Sequence, residues 1–393
     1  MKIRRYITAL AFYAVTVGCV DNSYKGIVSE MSADEELPVH IIVGDPGDIL
    51  ESKGTGAMED GDAAVWKGKT INVFAFKRDL NSNYSNISAE GHDDCLIDGS
   101  CDRKGCLGGK EATVNSEDSY ITWTGSDDLV YYKPGNQPYD FFAYYTDNEI
   151  ADSDIYRSKE DVRIKLDIDG CSDIMSAYAS LTEEQLGRPV FSDMDRLDLN
   201  AYSFSAWSAK RNIHPVFYFK HHLVRFNFEM KAGWDESDEI IIDSLVIVSK
   251  RKAIFTVAHK NPSRTGLDFT GSPYERTPLS EADGSPLRED YWKLTYTPGN
   301  EDMIPIAGSL MVAPDMKYDA YLYLKQKMST GEVKTHENHI NLTCEEGRFT
   351  AGSHYLVRAN IYGLTSVDIT VTLGQWKDGG NVNVGSDKFE DEP

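Results

Sequence analysis

Four groups of residues in this 393-residue sequence have types and spacings that chemistry uses. Gly68-Lys69-Thr70 reads as the end of a phosphate-binding loop, where backbone amides and a lysine cradle phosphate ahead of a helix. The full loop requires glycine at position 63, which is Ala63, and the residues that follow, INVFAF, favour a strand. Asp167-Ile168-Asp169-Gly170-Cys171-Ser172-Asp173 follows part of a calcium-loop pattern, yet the third ligand before the glycine and the distal glutamate are missing at the required spacing. A turn is expected there. His221 and His222 are adjacent, so in a strand they point to opposite faces and cannot share one ion. His336 and His339 have no evident third ligand, and no G-x-S-x-G elbow occurs. The expectation is therefore no metal, no cofactor and no catalytic site: the chain is not read as an enzyme.

The elements that hold these residues read as strands. In 224–230 Val224, Phe226, Phe228 and Met230 share one face, and in 367–373 Val367, Ile369, Val371 and Leu373 do the same. Further strands are expected near 38–43, 70–77, 129–132, 139–145, 162–168, 239–249, 253–258, 291–296, 309–313, 318–325, 339–343 and 354–362. One short helical turn is expected at 181–186, opened by Thr182 with Glu184 and Gln185 near its third position. Residues 45–66 and 81–118 are long, acidic and Gly-rich, and read as loops. A polar, irregular stretch over 187–213 separates two strand-rich halves. The six tryptophans offer either flat platforms for sugars or core packing, of which packing is preferred.

Lys and Arg number 40 against 63 Asp and Glu, a formal charge of −23, which argues against nucleic acid because phosphate binding needs basic surface. The 41% hydrophobic content suffices for a real core, and the length suggests two domains. Residues 1–18 read as a secretory signal, with Lys2, Arg4 and Arg5 ahead of an apolar run too short to span a bilayer. The signal ends at Gly18-Cys19, a lipobox-like site with cleavage between the two and a lipid on Cys19, although Thr16 stands where lipoboxes usually carry Leu, Val or Ile. Residues 19–36 form a tether; the expected domains are 37–212 and 213–385, with an acidic tail at 386–393. Cys95, Cys101, Cys106, Cys171 and Cys344 remain, an odd number whose pairing stays open.

Taken together, KGTGAMEDGDAAVWKGKTINVFAFKRD (53–79), YYKPGNQPYDFFAYY (131–145), DIDGCSDIMSAYA (167–179), FYFKHHLVRFNFEM (217–230), GSLMVAP (308–314) and FTAGSHYLVRANIYGLTSVDITVTLGQWKDGG (349–380) resemble the fimbrillin-like, or type V pilin, lipoproteins of Bacteroidetes. The resemblance implies an all-β fold of two tandem transthyretin-like β-sandwich domains. It also implies a fimbrium subunit, anchor or tip at the outer membrane and cell surface. Its partners would be other fimbrial subunits, the membrane through the lipid, and a host or bacterial surface ligand. Such subunits lose an N-terminal strand to a protease and accept a donor strand from the next copy, a case of β-strand addition. Here the removable strand would carry Val39, Ile41 and Val43, and the donor would come from 354–362, 367–373 or 381–385. No arginine lies between Arg5 and Arg78, so the protease sites would be Lys53 or Lys67, or the chain would stay uncut as an anchor or tip. The alternative reading is a stand-alone glycan-binding surface lipoprotein that uses aromatics near 81–125 or 260–290.

Overall fold

A computed structural model describes residues 37–44, 69–82, 84–87, 95–98, 107–115, 119–124, 129–188, 192–233, 239–280, 292–294, 296, 302–328, 330–365 and 367–373. Gly18, Cys19, Lys53, Lys67, Cys101, Cys106 and the tail lie outside these residues. Residues 36–393 cluster as one unit, and its architecture is all-β.

The central sheet runs in the order β13 (Lys220–His221), β11 (Ile174–Tyr178), β8 (Tyr139–Thr146), β3 (Thr70–Lys77), β5 (Lys110–Val114) and β6 (Ile121–Trp123), with β4 (Cys95–Ile97) also paired to β3. β3 and β8 are almost continuously apolar because both of their faces are covered. Ile71, Val73, Ala75, Phe141 and Ala143 enter one core cluster, while Phe74, Phe76, Phe142 and Tyr144 enter another. Over the second face lies a sheet of β17 (Gly266–Asp268), β16 (Lys252–His259), β10 (Asp161–Asp167) and β9 (Ile155–Arg157), which contributes Val162, Ile164, Phe255 and Val257. Phe255 meets Tyr144 edge-on at 5.9 Å between ring centroids. β10 pairs with β16, so this sheet draws strands from both sides of the 212/213 position.

A third cluster lies between two more sheets. One runs β20 (Ile304–Val312), β14 (Val224–Ala232), β23 (His354–Ile361), β24 (Val367–Leu373); the other runs β18 (Tyr274–Pro278), β15 (Glu239–Lys250), β21 (Tyr318–Lys327), β22 (Val333–Leu342), with β19 (Lys293–Leu294) beside β15. The alternation in β14 appears as alternating burial of Val224, Phe226, Phe228 and Met230. The Phe349 ring lies 4.7 Å from Tyr355, 5.0 Å from Tyr318 and 5.2 Å from Phe226. Four short strands remain: β1 (Leu37–Pro38) pairs with β7 (Tyr131–Tyr132), and β2 (Ile42–Val43) pairs with β12 (Val216–Phe217).

The expected helical turn is α1 (Glu183–Gly187), closed by a capping box in which Thr182 Oγ1 accepts the Gln185 N–H and Gln185 Oε1 accepts the Thr182 N–H. The stretch 187–213, read as irregular, holds two more helices, α2 (Asp193–Tyr202) and α3 (Ala206–Ala209). Their boxes use Ser192 with Asp195 and Ser205 with Ser208 in place of the usual Glu or Gln. Among its described side chains α2 places only Leu199 fully in the core, so little apolar periodicity marks it. The loop read at 81–118 likewise contains β4 and β5.

The 168–173 turn docks the β10 end of one sheet against β18 and β20. Gly170 has a φ of +95°, and a Cβ there would come within 2.7 Å of Thr277 Cγ2 and 2.9 Å of Leu310 Cδ1. Its carbonyl accepts the Met311 N–H at 2.7 Å. Gly170→Val is expected to lower stability by about 2–4 kcal/mol, joining left-handed backbone strain to overpacking. Urea unfolding checks this, and an unchanged midpoint contradicts it.

Candidate functional site

Residues 37–44, LPVHIIVG, lie in a groove with strands on both sides. Val39, Ile41 and Val43 point into the first core cluster and are 6%, 1% and 2% exposed. Burial of side chains this size stabilises by about 1.5–3 kcal/mol each. On one edge the Val39 N–H donates to Val130 O at 2.7 Å, the Val43 N–H donates to Ser119 O at 2.9 Å, and Ile41 O accepts the Ile121 N–H at 3.1 Å. On the other edge the Ile42 N–H donates to Pro215 O at 3.0 Å and the Gly44 N–H to Phe217 O at 2.9 Å. The segment runs antiparallel to β7 and parallel to β12.

Alternation made the three inward residues legible in the sequence. The residues that receive them, around 119–121, 130–132 and 215–218, carry no such signal, because pairing between segments this far apart leaves no local pattern. The short apolar run Val216-Phe217-Tyr218-Phe219 was the available cue.

His40 faces outward, edge-on to Tyr120 at 6.0 Å and to His214 at 5.5 Å. Burial, then the neighbouring His40 and Arg188, hold the His214 imidazole down at about 4. His214 Nε2 lies 2.8 Å from Asn212 Oδ1, and its buried Nδ1 has no hydrogen-bond partner among the described residues. A histidine kept neutral in this way contributes stability that is complete above pH 6.5 and is lost as pH falls towards about 4. His214→Gln is expected to flatten part of that acid limb. Urea midpoints at pH 7 and 4.5 measure it, and equal acid losses in variant and parent rule it out.

The other candidates take structural places. Lys69 pairs with Asp147 at 3.3 Å and lies over the Tyr145 ring, and Thr70 opens β3 rather than a helix. In the 167–173 segment, Asp169 Oδ1 accepts the N–H groups of Cys171 and Ser172, and its Oδ2 accepts Ser172 Oγ–H and Asn148 Nδ2–H. Those local bonds draw its carboxyl below the usual range against the opposing effect of burial. Asp167 pairs with Lys252, and Asp173 with His221 Nδ1 at 2.7 Å. His222 Nε2 meets Ser176 Oγ at 2.7 Å, so the adjacent histidines do have separate partners. His339 stacks on Tyr321. Trp123 and Trp207 pack on the first cluster and Trp292 on the third. Cys95 is buried on β4, Cys171 Sγ lies 2.9 Å from Ser280 Oγ, and burial followed by Glu346 raises the Cys344 thiol.

Arg78, the first arginine after Arg5, is 12% exposed at its side chain. Its guanidinium contacts Asp140 Oδ1 through Nη2 at 2.7 Å and Nε at 2.9 Å, and donates through Nη1 to Ser203 Oγ at 3.1 Å. Burial works against its charge, and the Asp140 carboxylate more than offsets that effect, so its pKa lies above the usual value.

A family model described as fimbrillin-like matches residues 62–376. Among solved structures, the chain is similar to a fimbrial protein from Bacteroides vulgatus, at 11% identity over 87% of this chain and 100% of that one, with a TM-score of 0.47. It is also similar to a candidate cell adhesion protein from Bacteroides uniformis, at 15% identity over 88% of this chain and 100% of that one, with a TM-score of 0.45. A third is the fimbrial anchor protein Mfa2 from Porphyromonas gingivalis, at 8% identity over 87% and 98% of the two chains, with a TM-score of 0.36. No curated protein matches. The family match covers most of the chain and takes in β3 to β24, the strands that build and enclose all three clusters, so the chain belongs to the fimbrillin-like family.

Proposed function

We propose that this chain is a non-enzymatic fimbrial subunit of the cell surface, delivered to the outer membrane by a lipid on Cys19 and polymerised by exchange of a β-strand, with adhesion as the role of the polymer. The observation that carries this reading is the segment 37–44, an alternating apolar strand hydrogen-bonded along both edges, which on removal leaves a groove of unpaired amides and apolar surface. The 37–212 and 213–385 portions would act as two domains tied together by the β10–β16 pairing.

Of the three donor segments, 367–373 fits best. β23 (354–361) lies between β14 and β24, whereas β24 is a sheet edge with Val367, Ile369 and Val371 half-buried and Leu373 47% exposed. The segment 381–385 lies outside the described residues and offers only two apolar positions. Burial of Arg78 against Asp140 supports maturation at Lys53 or Lys67, or an uncut anchor or tip, over cleavage after Arg78. Outside the 81–125 and 260–290 stretches of the glycan reading, the Tyr321 ring of β21 is taken up by its neighbours, with Arg276 4.3 Å over it and His339 stacked on it at 4.9 Å.

Surface protein taken from cells is expected to form high-mass ladders on unheated gels, with the polymerised subunit beginning after Lys53 or Lys67. Monomer alone that shifts on polysaccharide gels contradicts the proposal. An N-terminus at residue 79 contradicts the assigned cleavage.

A further inference from the structure

The groove contains one contact that alternation of apolar residues does not explain. Gly44 is not in the left-handed region, so its backbone does not require glycine. A Cβ on Gly44 would nevertheless lie 2.3 Å from Tyr218 Cε1 and 2.7 Å from Cδ1, far inside contact distance. The ring occupies the space that a side chain would need.

The same arrangement occurs a second time. β14 runs parallel to β23, as β2 runs parallel to β12. The Gly233 N–H donates to Ile361 O at 2.7 Å, as the Gly44 N–H donates to Phe217 O at 2.9 Å. A Cβ on Gly233 would lie 2.3 Å from the Tyr362 ring, and Gly233 also lacks a positive φ. In both places the glycine directly follows an inward-facing position, Val43 or Ala232, and the tyrosine directly follows the residue whose carbonyl accepts the bond. Aromatic cover of a strand glycine is a known way to pin register. In β14 the covered strand is internal to a folded sheet, whereas in the groove it is the strand proposed to leave.

We propose that Tyr218 is the specificity-determining residue of the groove: it admits a strand only when glycine follows the last inward apolar residue, and so fixes the register of whichever strand occupies the site. The inference rests on the strand-exchange reading. A slip of one residue would turn every apolar side chain outward and bring a side chain against the ring. In this sequence the resident strand reads Leu37-Pro38-Val39-His40-Ile41-Ile42-Val43-Gly44, and the donor strand reads Val367-Asp368-Ile369-Thr370-Val371-Thr372-Leu373-Gly374. Leu37, Val39, Ile41 and Val43 correspond to Val367, Ile369, Val371 and Leu373, and Gly44 corresponds to Gly374. The 354–361 strand is followed by Tyr362 and fails the requirement. The 381–385 segment also ends in glycine, Gly385 after Val384, but supplies only two apolar positions where the groove receives four, so the occupant is the 367–374 segment of a second copy.

The test uses the full chain nicked at a protease site introduced between residues 45 and 68, with all pieces present, and synthetic peptides of residues 367–374. Mass spectrometry follows displacement of the resident segment. The natural peptide is expected to displace it, and Gly374→Ala is expected to weaken uptake at least about tenfold, the scale of overpacking. On Tyr218→Ala protein the two peptides should compete equally. Equal uptake of both by the parent protein, or a gap that persists in Tyr218→Ala, overturns the role of Tyr218 while leaving exchange intact. If no peptide enters, including one of residues 37–44, the exchange reading fails. The ring's selectivity is then decided on the intact chain, where Gly44→Ala should expose the segment to protease and the Gly44→Ala/Tyr218→Ala pair should protect it again. Equal exposure in both variants overturns it there.

Discussion

Asp140→Ala is expected to lower the unfolding free energy by about 3–5 kcal/mol, the range for removing one partner from a buried ion pair. Asp140 is 1% exposed and has both oxygens engaged. Oδ1 accepts from Arg78 at 2.7 and 2.9 Å and from the Tyr178 hydroxyl at 2.7 Å, and Oδ2 accepts from Ser85 Oγ at 2.6 Å. Truncation strands a guanidinium and two hydroxyls away from water. Burial, then the Asp140 carboxylate, already pushes the Tyr178 hydroxyl above its usual range, so it stays a donor at any physiological pH. Arg78→Leu in the Asp140→Ala background should recover part of the loss, because an apolar replacement needs no partner. Denaturant titration of the three proteins measures this. A single-variant loss below about 1 kcal/mol would mean that water reaches the cluster.

Ile41→Ala is expected to cost about 2–5 kcal/mol, since a side chain that is 1% exposed leaves a cavity in the first cluster. The loss should be local first. The clusters built by β10 and β16, and by β14 and β21, contain no residue of the 37–44 segment. Hydrogen exchange should therefore rise at Val39, Ile42, Val43 and Gly44 before it rises in β14 or β23. In the nicked chain the same variant should speed uptake of the 367–374 peptide. Uniform acceleration of exchange across all sheets would show that the segment is an inseparable part of the core.

Much of the fold was legible where one face of a strand meets water. β14 and β24 stand in alternation, and their expected ranges match or nearly match their observed ones. The capping box of α1 was equally plain, because Thr182 and Gln185 use the commonest pair of side chains. β11 has no legible pattern because Ile174, Met175, Ser176 and Ala177 are all buried, which removes the period of two, and because it follows an Asp-Gly turn. β22 is legible only at its end. Its first half, VKTHE, is an exposed edge stretch held by backbone pairing with β21 rather than by apolar side chains. The pairing of β10 with β16 joins residues about ninety apart, and no local pattern carries such a contact. For the groove, the sequence identified the strand that fills it and not the walls, because apolar residues reveal their own burial and not the identity of their neighbours.

The double-edged seating of residues 37–44 also bears on mechanical load. Tension along the axis of a strand in this groove acts on the bonds to Val130, Ser119 and Ile121 on one side and to Pro215 and Phe217 on the other at the same time. Such a strand must be sheared out, with both rows of bonds and the apolar contacts of three side chains failing together. A strand paired along one edge, such as β24, sets only a single row of bonds against the same load. A joint made in this groove would thus resist pulling far better than the edge that supplies its strand.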